Sequence, residues 1–141
     1  MLANGPLTVN FVLLHHSVCA SVERWPLRLH YVIDTDGVVE KRLAETEQGL
    51  HRASIGVCIE GNFELAAPSA AQLAAFRGLL LDIKLRYPAL QLGAHRQVRG
   101  EQCTCPGKRF PMRELRAWSE HGLLEQRDIA LEALIERQYR P

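Results

Sequence analysis

From Thr8 to Leu14 the chain carries β-branched and aliphatic residues at successive positions, the pattern of a strand buried on both faces in the middle of a sheet. On such a strand Phe11, Leu13 and His15 share one face, and Val12, Leu14 and His16 share the other. Leu27 to Ile33 reads as a second strand. Asp34-Thr35-Asp36-Gly37 follows as a tight turn, because Asp side chains bond the local backbone and Gly accepts a positive φ. Val38 to Arg42 completes a hairpin, and Glu45 to Arg52 is a polar connection. Ser54 to Glu60 is apolar enough for a further strand, with Cys58 and Glu60 on one face, and Gly61-Asn62 ends it.

The clearest helix begins at Ser69, which forms a capping-box pattern with Gln72. Leu73, Phe76, Leu80, Ile83 and Tyr87 then recur at three- and four-residue steps until Pro88 stops the run. Leu90 to Ala94 is a short apolar segment, and Pro111 to His121 and Leu124 to Tyr139 read as two more helices separated by Gly122. Strands early and helices late predict an α/β fold of a single domain, with a central mixed sheet of about four or five strands flanked by helices.

The chain has 141 residues, 47% hydrophobic and 23% charged, which suits one core and leaves little for a second domain. A net charge of +1 supplies no basic field, so nucleic acid is not an expected partner. The apolar run ending at Leu14 is far shorter than a membrane span, and no basic segment precedes it as in a signal peptide. The expectation is a soluble protein, cytoplasmic as synthesised, with no membrane partner. The four cysteines stand at 19, 58, 103 and 105. Cys103 and Cys105 are separated by one residue, which disfavours a bond between them, and reduced thiols with a metal ligand among them are expected rather than two disulfides.

The stretch from Gly93 to Gly107, GAHRQVRGEQCTCPG, holds a histidine and two thiols beside a Pro-Gly turn. His95 ends an apolar segment, and Cys105 precedes Pro106 and Gly107, whose restricted and permissive backbones hold a loop in one shape. One His and one Cys are too few for catalytic zinc, which takes three protein ligands and keeps a fourth position open. His15, at the end of the first strand, is the best third ligand. Cys103 is the rival of Cys105, and His16 of His15.

The segments FVLLHHS (11 to 17), LHYVIDTDG (29 to 37), SIGVCIEGNF (54 to 63), PSAAQLAAFRGLL (68 to 80) and GAHRQV to CPG (93 to 107) resemble the zinc-dependent N-acetylmuramoyl-L-alanine amidases. That family includes phage endolysins and the peptidoglycan recognition proteins. The resemblance covers residues 9 to about 118 in the family's order, leaving 119–141 as a C-terminal helical extension. It implies an amidase-like fold, Zn2+ as cofactor on His15, His95 and Cys105, and peptidoglycan or muropeptide as partner. It also implies hydrolysis of the amide between N-acetylmuramic acid and L-alanine, and action on the cell wall after release. The alternative is a zinc-containing module that binds muropeptides without cleaving them.

The chain departs from the family where proton carriers are usual. A tyrosine common in the second strand's motif is Leu29 here, the Lys or Thr two before the third ligand is Cys103, and the glutamate of the cytosolic enzymes is Cys58. Glu60, two positions from Cys58, is the favoured stand-in for the general base. Tyr31, Glu101 and His51 are the other candidates for that role, and His51 and Tyr31 are the candidates for substrate binding. The chain also lacks the segment that usually follows the first ligand, which predicts a shallower cleft.

Overall fold

The computed structural model describes residues 8–17, 28–100, 103–122 and 131–138. Its five strands are β1 (Phe11–His16), β2 (Tyr31–Ile33), β3 (Val39–Lys41), β4 (Ser54–Ile59) and β5 (Gln91–Ala94). They form one sheet in the order β3-β2-β4-β1-β5. β1 pairs in parallel with both β4 and β5, β2 pairs in parallel with β4, and only β3 runs antiparallel, as the return strand of a hairpin. That hairpin turns where the Asp-rich tetrad predicts. Asp34 Oδ1 accepts from the Asp36 and Val38 amides, and Gly37 takes a φ of +84°.

β1 lies inside the sheet, which is why its sequence is apolar on both faces. Val12, Leu14, Ile33, Ile55, Val57 and Ile59 are fully buried, as are Phe76, Leu80 and Ile83 on helix α1 (Ala70–Arg86). The capping box forms as predicted: Ser69 Oγ accepts from the Gln72 amide at 3.1 Å, and Gln72 Oε1 accepts from the Ser69 amide at 3.0 Å. Gln72 Nε2 also donates to the carbonyls of Asp34 and Glu60, so the start of α1 is tied to the ends of β2 and β4.

Contacts divide the chain into two compact units, 1–111 and 112–141. The second contains α2 (Met112–Ala117), a π-helical turn (Trp118–Gly122) and a helix over 131–138, on which Leu131, Leu134 and Ile135 are exposed. The start and the last residue of the predicted Leu124 to Tyr139 helix lie outside the described residues, as do Cys19 and Glu101. No helix among the described residues is long and apolar enough to cross a membrane.

Candidate metal centre

β1, β4 and β5 run in the same direction, so their carboxyl ends meet at one edge of the sheet, the place where open α/β sheets bind ligands. His15 stands near the end of β1, in register with Cys58 of β4. His95 follows Ala94, the last residue of β5, and opens a single 3₁₀ turn over His95–Gln97. That turn is fixed at both ends. Gln97 Oε1 accepts from the Ala94 amide at 2.8 Å, and the Arg96 amide donates to the Cys105 carbonyl at 3.0 Å.

Cys105 arrives on a loop held by local geometry. The Cys105–Pro106 peptide is cis, Gly107 has a φ of +109°, and a side chain at Gly107 would meet the Phe63 backbone at 2.5 Å. The Cys105 sulfur is fully buried and accepts the His16 amide at 2.9 Å, across 89 positions of sequence.

One donor atom each from His15, His95 and Cys105 lie within 4.8 Å of one another, and all three residues are buried. Burial first, and then the neighbouring imidazoles of His95, His51 and His16, hold His15 well below the usual histidine range, so its ring is neutral and able to donate a lone pair. Burial pushes the Cys105 thiol up to about 12, against the opposing pull of the His16 amide and Arg96. A divalent cation would replace that thiol proton. Two imidazoles and one thiolate from three separate segments suit a borderline-soft ion of low coordination number. The donor set fits a metal.

Beside this trio stands a third imidazole. The ring of half-buried His51 stacks on His15 with centroids 5.6 Å apart and planes 13° apart, and it lies 4.9 Å from the His95 ring. The position predicted to bind substrate is therefore at the centre. Beneath it Gly56 of β4 leaves room: a Cβ there would stand 3.8 Å from His15 Nε2 and 2.8 Å from a methyl of Leu29. Burial, then Cys105 and Glu60, push the Cys58 thiol up, so this sulfur is protonated. Glu60 lies just beyond β4 and is exposed.

Two expectations are corrected. Cys103 is disulfide-bonded, whereas Cys58 and Cys105 are free, so the cysteines are not all reduced thiols. The bonded sulfur cannot be the thiolate ligand. Instead it accepts the Cys105 amide at 3.2 Å and lies 3.5 Å from His95 Nδ1. Tyr31, expected to bind substrate, is in register with Val57 and through it with Leu14, on the sheet face opposite His15. Its hydroxyl donates to Glu45, which Arg86 of α1 also holds. A bend at 28–30 interrupts the alternation, which places Leu29 beside Gly56 and Tyr31 on the far side. The rival His16 has its ring engaged elsewhere, with Nδ1 accepting the Phe63 amide at 3.1 Å.

Comparison with known proteins agrees with this architecture. The model of the N-acetylmuramoyl-L-alanine amidase family matches residues 5–108. The endolysin of Klebsiella phage KP32 is 31% identical over 109 residues, covering 70% of this chain and 68% of the endolysin; that of Escherichia phage T7 is 29% identical over the same shares. Among solved structures, the amidase LysC of Clostridium intestinale superposes with a TM-score of 0.69 at 23% identity, over 79% of this chain and 85% of LysC. A peptidoglycan recognition protein in complex with tracheal cytotoxin superposes at 0.60 and 20% identity, over 79% and 81%.

Proposed function

The chain belongs to the N-acetylmuramoyl-L-alanine amidase family, and on that premise we propose that its peptidoglycan amidase chemistry runs on a zinc ion held by His15, His95 and Cys105. The observation that carries this reading is the convergence of two imidazoles and a free, buried thiol within 4.8 Å at the carboxyl edge of the sheet. His15, His95 and Cys105 would hold the ion, which would supply Lewis-acid chemistry there: a water made more acidic, toward a pKa of ~7, and a polarised amide carbonyl between muramic acid and L-alanine.

The protein's own side chains do the rest. Neutral His15 and the turn that carries His95 present nitrogen lone pairs in fixed directions. His51, beside both rings, contacts the substrate at the centre. Glu60 is the proposed proton carrier: it lies past Cys58 at the same carboxyl edge, and its residue is exposed to water. The substrate is peptidoglycan or a soluble muropeptide, reached at the cell wall after release.

Metal analysis of the purified chain with a digest of purified sacculi tests the reading. About one zinc per chain is expected, together with new amino termini at L-alanine. Stoichiometric zinc without new termini would favour the muropeptide-binding alternative, and absence of zinc after loading would remove the ligand set.

A further inference from the structure

We propose that His30 is a positioning residue for this reaction: its ring straps the 47–51 loop to β4 and thereby sets the His51 imidazole against the two histidine ligands. The inference rests on the placement of His51 in the site proposed above. His30 is 1% exposed and both of its ring nitrogens are engaged. Nδ1 accepts the Gly56 amide at 3.0 Å, and Nε2 donates to the Glu47 carbonyl at 2.8 Å. An amide can only donate and a carbonyl can only accept, so this pair of bonds selects the neutral Nε2–H tautomer. One imidazole thus joins the floor of the site, at Gly56 under His15, to the loop above it.

The His30 strap acts on the middle of this loop. The loop contains no regular secondary structure from Ala44 to Ala53. Its ends are tied elsewhere, Glu45 to Tyr31 and Arg86 and the Ala53 carbonyl to the Asn10 amide at 2.8 Å, whereas its middle is tied to the segment that carries His30: the Leu50 amide donates to the Arg28 carbonyl at 2.9 Å, and Arg28 Nε donates to the Gln48 carbonyl at 3.2 Å. Gly49 lies close against the His30 ring, so that a Cβ would lie 2.5 Å from His30 Cε1 and 2.6 Å from the Arg28 carbonyl oxygen. His51 follows two residues later. Any shift of 47–49 relative to His30 therefore moves the imidazole stacked on His15.

The two halves of the strap can be cut separately. In His30→Gln the side-chain amide can still donate to Glu47, and in His30→Asn the shorter amide can accept from Gly56 but cannot reach the loop. Both variants lose stability. Only His30→Asn is expected to displace His51, seen as a shift of its imidazole signals in nitrogen-correlated NMR of the zinc-loaded chain. That variant should lower kcat/KM on a muropeptide by on the order of tenfold or more, with zinc stoichiometry unchanged and His30→Gln close to the parent.

In a double-mutant cycle, His30→Asn should add nothing to His51→Ala, because the strap acts through that ring. Equal effects of Gln and Asn, unmoved His51 signals in His30→Asn, or losses that multiply with His51→Ala would each overturn the assignment. Should His30→Asn not fold, Gly49→Ala, whose Cβ would crowd the His30 ring, pushes the loop off His30 from the other side and must displace the His51 signals. A parent chain without amidase activity would sink the functional reading, while the NMR comparison would still decide whether His30 places His51.

Discussion

At the scale of single residues, the metal centre separates side chains of the same chemical type by what each already touches. Cys105 is a free thiol, whereas Cys103, two positions away, is disulfide-bonded, and its sulfur accepts the Cys105 amide and lies beside His95 Nδ1. His15→Ala, His95→Ala and Cys105→Ala are each expected to lose zinc and with it all hydrolysis above background, as measured by metal content and by release of stem peptide. Cys103→Ser should keep the metal. A Cys103→Ser protein without zinc, beside a Cys105→Ala protein that retains it, would reverse the choice of ligand.

The proton carrier is open to the same kind of test. Glu60→Gln should reduce turnover by about a hundredfold with full zinc occupancy, and an unchanged rate would take Glu60 out of the mechanism. His15, His95 and Cys105 were legible in the sequence as candidate ligands because the segments that carry them resemble the family's motifs. The ring of His51 stacked on His15 was not, because that loop has no periodicity to read.

At the scale of elements, the capping box and the hairpin turn follow from local chemistry and stand where the sequence puts them. Gln72 does more than cap, since its amide also closes the ends of β2 and β4. Gln72→Ala should therefore lower stability by about 2 kcal/mol, against about 1 kcal/mol for Ser69→Ala, as read from denaturant midpoints.

On the opposite sheet face, Tyr31 and Arg86 grip Glu45. Burial alone would raise the Glu45 carboxyl, but the bonds from Arg86 and Tyr31 outweigh it and hold the group below its ordinary 4.5. A depressed folded value stabilises the protein above the unfolded value and loses that contribution as the pH falls through the folded one. Glu45→Gln should therefore cost about 1 kcal/mol at neutral pH, a modest figure because Arg86 is partly in solvent. The gap from the parent should close below the ordinary carboxylate range, and a gap independent of pH would show that the pair does not carry the effect.

At the scale of the molecule, the sheet is a device for bringing distant residues to one edge. Three parallel strands, β1, β4 and β5, end together, and the loop carrying Cys105 returns across them. Zinc that binds this assembled site and not the unfolded chain should raise the melting temperature. The gain is about 2.7 kcal/mol when free zinc is a hundred times its dissociation constant. Chelation should reverse it, and a melting temperature indifferent to both would mean that the three donors do not hold an ion in the folded protein.

By itself the sequence determined the strands, the capped helix, the family and the three candidate ligands, because each of these depends on local periodicity or on residue types within a short motif. The tertiary structure decided which of two neighbouring cysteines is free and which face Tyr31 occupies. It also decided that the His51 and His30 rings belong to the same piece of architecture. Those outcomes depend on register, on a bend that breaks alternation, and on contacts between residues far apart along the chain, none of which leaves a periodic trace in the residues concerned.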